Sequence, residues 1–132
     1  MNNLLPQVHS KKGLQDYESV KIYNSLLKET TLKDYQAHEV CNLTTRRIVS
    51  NKITWLSGAH IREIVCSVMA ENGYYKERLQ YTRVGIPYYD LEKVFKGVKL
   101  NTYTERAYGT YDLIRKEFKE VKELIEQMEA TE

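Results

Sequence analysis

The chain has 132 residues, enough for one domain with a helical core and no need of metal or disulfide staples. With 42% apolar and 29% charged residues it has the composition of an ordinary globular protein. Its formal charge of +2 provides no strong field to draw it to nucleic acid or anionic membrane, although a small anion needs only a local cluster.

Cys41 and Cys66 fall within expected helices beside apolar neighbours, which suits small buried thiols in a reducing compartment better than a disulfide framework. Neither they nor His9, His38 and His60 show metal-ligand spacing. No early apolar run resembles a signal peptide, and none approaches the ~20 residues that span a bilayer, so a cytoplasmic protein without membrane contact is expected.

Residues 1–7 read as a loose start. Val8 to Tyr17, VHSKKGLQDY, is the one place where a short hairpin fits, with lysines and a glycine at its tip. Glu18 to Thr30 reads as a helix with Ile22 and Leu26 inward, accompanied by Val20 and Leu27. A second helix is expected to start at Thr31, with Asp34 in the capping-box position and Ala37, Val40, Cys41, Thr44 and Ile48 as its inner stripe. The connection 51–56 places Trp55 as a core plug. A central helix follows, capped by Ser57, stopped by Gly73 and apolar at Ile61, Ile64, Val65, Val68 and Met69. Short helices over 73–83 and 90–96 flank a turn punctuated by Gly85 and Pro87, and Gly97 closes the second.

Beyond Leu100 the pattern changes. Thr102 with Glu105 makes a capping box, opening a helix of roughly 25 residues, or ~37 Å. Ala107, Tyr111, Ile114, Phe118, Val121, Ile125 and Met128 step by four and three alternately, the period of a coiled-coil seam. Such a helix wants a partner, found on the body of the chain, on a second copy or on a larger protein. The expected architecture is mainly α with some β: a small helical bundle capped by a short hairpin or sheet over 1–98, then a long C-terminal helix over 99–132.

For catalysis the sequence offers no nucleophile elbow, no suggestive Cys–His context and no SxxK pair, so no enzyme is expected. Glu63, near His60 and Arg62, reads as a group favouring the helix dipole and helping to cap. Of the 11 tyrosines five cluster at 74, 75, 81, 88 and 89, either as core-edge residues with wet hydroxyls or as stacking surfaces for a base. No Walker loop or GxGxxG is present. Lys11, Lys12 and Lys21 could hold phosphates beside Gly13, or be ordinary solvated lysines; Arg46 and Arg47 read as a wet face.

The order of these features carries a resemblance. Val8-His-Ser-Lys11-Lys12-Gly13 is followed by Tyr17, by Lys21-Ile22, by Ile61-Arg62-Glu63-Ile-Val, by Gly73-Tyr74 and by Tyr81-Thr-Arg-Val-Gly-Ile-Pro-Tyr-Tyr-Asp90. Over about 8–95 this resembles the ATP-cone, a regulatory nucleotide-binding domain of ribonucleotide reductases, in the version carried by the anaerobic, glycyl-radical enzymes. The resemblance implies a helical bundle capped by a sheet with ATP or dATP, and Mg2+, between the two. It implies that Lys11, Lys12 and Lys21 face phosphates, that Val8 and Tyr17 line the base or ribose, and that the domain acts by allostery on a neighbour. The alternative is a cone that has lost its ligand and works as a helical interaction or oligomerisation module through 107–128. A DNA-binding regulator using Arg46, Arg47 and the lysines is disfavoured by the low net charge.

Overall fold

In a computed structural model, residues 5–83, 85, 88–97 and 103–130 are described, and they form six helices and a three-stranded sheet. By packing the chain divides into two units, Met1–Thr82 and Arg83–Glu132.

The first unit opens with the hairpin β1 (Val8–Ser10) and β2 (Gly13–Gln15), antiparallel, with Val8 opposite Gln15. Its two-residue turn holds Lys11 and Lys12. Ser10 closes that turn: its hydroxyl donates to the Gly13 carbonyl at 2.9 Å and accepts from the Lys12 amide at 3.2 Å, while Gly13 takes φ +102, which a side chain would disfavour. A third strand, β3 (Leu56–Ser57), lies parallel on the other side of β1, pairing Leu56 with Val8. Leu56 is fully buried, whereas Trp55 is 57% exposed and stacks on His9, with ring centroids 4.5 Å apart. The core plug expected at Trp55 is thus its neighbour: strand alternation sends the two side chains to opposite faces, and the pairing with β1 turns Leu56 inward.

Three helices build the core under this sheet. α1 (Ser19–Glu29) buries Ile22 and Leu26; Val20 and Leu27, expected inward, are exposed, because an eleven-residue helix packed chiefly on α2 buries a narrow stripe. α2 (Asp34–Ser50) buries Ala37, Val40, Cys41, Thr44 and Ile48, the stripe read from the sequence. Thr44 is fully buried, yet its hydroxyl donates to the Val40 carbonyl at 2.8 Å and so is satisfied. α2 begins at Asp34 and not at Thr31. Its cap is Gln36, whose side chain accepts from the Lys33 amide at 2.9 Å. Thr31 instead ties the α1–α2 loop to α4 (Tyr75–Tyr81), donating its hydroxyl to Glu77 at 2.6 Å and its amide to Gln80 at 3.0 Å.

α3 (Gly58–Glu71) is capped by Ser57, whose hydroxyl accepts from the His60 amide at 3.2 Å. Glu63 lies beyond the first turn and is exposed, so the capping expected of it falls to Ser57. At the other end Gly73, at φ +82, lets the Tyr74 amide reach the Met69 carbonyl and its own amide reach Ala70, a Schellman close. α2 ends in the same hydrogen-bond pattern, with Lys52 at φ 53 in the glycine position. Nothing in the sequence marked that turn.

Two side chains fasten these helices. Arg47, expected on a wet face, donates to Ser67 at 3.1 Å and pairs with Glu71, joining α2 to α3. Arg62 donates to Glu29 at 2.9 Å and to the Tyr81 carbonyl at 2.7 Å, with its guanidinium 4.2 Å from the centre of the Tyr81 ring; one residue of α3 thereby holds the ends of α1 and α4.

Cys41 and Cys66 are buried free thiols, and burial, the largest influence on each, pushes both thiols up. Protonated, buried thiols are poor nucleophiles. At pH 8 both are expected to react with a disulfide reagent at least ~100-fold more slowly in the native chain than in denaturant. The linkage has one sign. Unfolded thiols ionise first as pH rises, so stability contributed by the neutral native thiols is complete below the free-thiol range and declines above it. Reaction at equal rates in the two states would contradict this burial.

The second unit consists of α5 (Tyr88–Gly97) and α6 (Tyr103–Ala130). The sequence reading drew the boundary after residue 98; in the structure α5 packs on α6, within this unit. Gly109 makes that approach possible, since a Cβ there would stand 2.5 Å from Val94 Cγ1. Thr102, half of the expected capping box, lies outside the described residues, as does the Pro87 of the expected turn. No helix among the described residues is long and apolar enough to cross a membrane.

Candidate functional site

A cleft of about 270 Å³ opens between the sheet and the helices of the first unit. β1 and β2 contribute Val8, Ser10 and Gln15; the β2–α1 connection contributes Asp16, Tyr17 and Glu18; α1 contributes Lys21, Ile22 and Ser25. Gly58 and Ile61 of α3 and Tyr81 of α4 complete the lining. Val8, Ile22 and Ile61 supply an apolar floor, and hydroxyls, an amide and three charges ring it.

Both tyrosines are fixed from behind. The Tyr17 hydroxyl is 2.9 Å from Thr45 Oγ1; because Thr45 donates its own proton to the Cys41 carbonyl at 3.1 Å, Tyr17 is the donor. By the same logic Ser25 donates to the Ile22 carbonyl at 2.9 Å and accepts from Tyr81 at 2.5 Å. Burial, the first cause for each, raises both phenols above the usual tyrosine range, so they are neutral donors at physiological pH. Such tethered rings give a ligand a rigid wall.

The charges are uneven. Asp16 and Glu18 are carboxylates, and Lys21 is the one cation among the lining residues, 3.9 Å from Glu18 across the first turn of α1. Both partners are largely exposed, so this pair is weak and easily redirected. Against the acidic lining stand two helix N-termini, those of α1 beside Glu18 and of α3 at Gly58, whose free amides carry positive partial charge.

Of the five residues singled out by sequence, Val8, Tyr17 and Lys21 line this one cleft. Lys11 and Lys12 do not; they sit exposed on the hairpin turn that continues β1 beyond Ser10. The sequence reading missed Ser10, Gln15, Asp16, Glu18, Ser25 and Ile61 as lining residues. For Ile61 the helical period gave an inward direction but not which wall it would reach; Ser25 carried no such signal. Within the first unit the tyrosines do not converge: Tyr81 is buried at the cleft, Tyr74 donates to Glu39 at 3.0 Å and Tyr75 is exposed; Tyr88 and Tyr89, in the second unit, are exposed. A broader surface depression along α2, by Arg46 and Ser50, is shallow, and Arg47 there is committed to α3. Among the described residues no group of three or more His, Cys, Asp or Glu could hold a metal ion.

Comparison with models of protein families, with curated proteins and with solved structures found no match.

Proposed function

We propose that the first unit is a non-catalytic regulatory domain that binds an adenine nucleotide, ATP or dATP, of the ATP-cone type that its sequence resembles. The observation that carries the reading is the convergence of Val8, Tyr17 and Lys21 on a single cleft between sheet and helices, the position that the resemblance implies. The cleft's volume is near the lower end for small-molecule sites, about 300 Å³, so base and ribose would be enclosed and the phosphates would emerge. They would leave past Lys21 toward the hairpin turn with Lys11 and Lys12, near the α3 amides at Gly58. Asp16 and Glu18 give that exit a negative side, which a phosphate-bound Mg2+ would neutralise. The protein's share is to orient the nucleotide and to change the packing of neighbouring elements. Typical coupling of this kind is ~1–3 kcal/mol.

Two substitutions with opposite expected signs test the site. Lys21→Ala should weaken ATP roughly tenfold, the size of one charge-assisted hydrogen bond. In magnesium-free buffer Glu18→Gln should tighten it several-fold, because it frees Lys21 and removes a charge that no metal then offsets. Equal affinities in wild type and both variants, measured by calorimetry, would remove the phosphates from this end of the cleft.

A second reading is favoured by a separate observation. On α6 the seam residues Tyr111, Ile114, Phe118 and Ile125 are all exposed, Phe118 by 70%. An apolar stripe of that period left open in the chain suits a helix-pairing module, with or without a ligand in the cleft.

A further inference from the structure

The seam also carries directional information. Val94 of α5 packs at Gly109 of α6. At 100° per residue Gly109 lies about 160° around the helix from Tyr111, so α5 occupies the face away from the seam. With Tyr111, Phe118 and Ile125 at the a positions and Ile114 and Val121 at d, the residues flanking the seam are Arg115, Lys122 and Glu129 on one side (e) and Thr110, Glu117 and Leu124 on the other (g).

This arrangement distinguishes the two ways in which one helix can pair with its own copy. In an antiparallel pair, e faces e: Arg115 meets Lys122 of the second copy twice in the full-overlap register; sliding by a heptad one way brings Arg115 against Arg115, and the other way sets Lys122 against Lys122 and Arg115 against Glu129 only by giving up a heptad of the seam. In a parallel pair, g faces e of the next heptad, so Glu117 meets Lys122 of the second copy, twice by symmetry. Like charges thus mark the antiparallel register that keeps the whole seam, and opposite charges mark the parallel one. A self-complementary strip of this kind also suits a second copy, because each chain brings both members of the pair. The inward ring at Phe118 then meets its own counterpart, as do Ile114 and Ile125 theirs.

From this charge pattern we infer that the occupant of the α6 seam is α6 of a second copy of the chain, in parallel and in register, forming a two-stranded coiled coil centred on Phe118. The inference rests on the second reading above and adds partner and direction to it. The seam is little more than two heptads long, so the dimer is weak and depends on concentration.

The test uses the full chain. Its mass by light scattering over a concentration series is expected to rise from monomer to dimer. Phe118→Glu should raise the dimer dissociation constant at least about tenfold while helix content is retained. Glu117→Lys should weaken the dimer, and adding Lys122→Glu should restore it. For direction, Ile125→Cys is oxidised with diamide: a parallel pair brings the two new thiols together and yields a covalent dimer, whereas in the full-overlap antiparallel pair they stand about 16 Å apart along the axis. A monomer at all concentrations, or a dimer indifferent to Phe118→Glu, overturns pairing through the seam. A dimer that Lys122→Glu alone strengthens and that Ile125→Cys does not cross-link overturns the parallel direction and leaves the second reading standing.

Discussion

Leu26→Ala should destabilise the first unit by about 3–4 kcal/mol, in the upper part of the range for a fully enclosed leucine. Leu26 has no exposed surface, and it belongs to one continuous core with Val40 and Ile48 of α2, Val65 and Met69 of α3, and Leu56 of β3. Truncation removes three carbons from that cluster, and the cavity cannot close without moving helices held together from outside by Arg47 and Arg62. For a unit of this size the midpoint of thermal unfolding should fall by ~15 °C or more. Leu27→Ala, one residue along and 39% exposed, serves as the control and should change stability by less than ~1 kcal/mol. Similar losses for the two variants, read by circular dichroism, would mean that α1 is rotated from the placement described.

Arg62→Ala ranks second, with an expected loss of about 2–3 kcal/mol. The guanidinium does three things at once: it pairs with Glu29, satisfies the Tyr81 carbonyl and covers the Tyr81 ring. Its side chain is 24% exposed and that of Glu29 35%, so the loss lies below the 3–5 kcal/mol of a fully buried pair. The orphaned carbonyl adds ~1–3 kcal/mol of its own, in part relieved by water. Arg62→Lys separates these roles, since an ammonium can keep the Glu29 pair but cannot fork to the carbonyl while lying flat on a ring. It should recover less than half of the loss. Because Arg62 positions Tyr81 and Tyr81 lines the cleft, Arg62→Lys should also weaken any cleft ligand, while Arg47→Ala, equally structural but remote from the cleft lining, should not. Full recovery by lysine would reduce the contact to simple charge pairing.

Much of this was legible in the sequence, for reasons that differ by element. The inner stripe of α2 and the apolar face of α3 follow from 3.6-residue periodicity, and the termini of α3 from Ser57 and Gly73, because each feature is local and chemically marked. The hairpin was legible from a β-branched start at Val8, Lys11-Lys12-Gly13 at the turn and the aromatic Tyr17 beyond it. What escaped were features decided by tertiary pairing. A two-residue strand at Leu56–Ser57 has no signature of its own; it exists because β1 needs a partner. Trp55 looked like a plug because tryptophan is large, and ended on the outer side because the strand put Leu56 inward. Thr31 looked like a helix cap and instead bonds to α4, forty-six residues away at Glu77. The left-handed turn at Lys52 carries no glycine to announce it.

The site divides in the same way. Val8, Tyr17 and Lys21 stand on β1, the β2–α1 connection and α1, and the chain brings them to one cleft. The hairpin geometry sets Lys11 and Lys12 apart, because a two-residue turn projects its side chains beyond the sheet. Asp16 and Glu18 carry no motif that marks them as neighbours of the cleft; the return of the hairpin into α1 brings them there. They are the residues that most constrain how an anion could enter. The α6 seam was legible as a period of 3.5, and its openness follows from Gly109 placing α5 on the far face.

The central claim is that the cleft takes an adenine nucleotide, and calorimetric titration of the full chain with ATP and dATP in magnesium buffer tests it most directly. Saturable binding in the micromolar range, weakened by Lys21→Ala and competed by adenosine, is the predicted result. No heat at millimolar nucleotide, from a chain shown by circular dichroism to be folded, would contradict it.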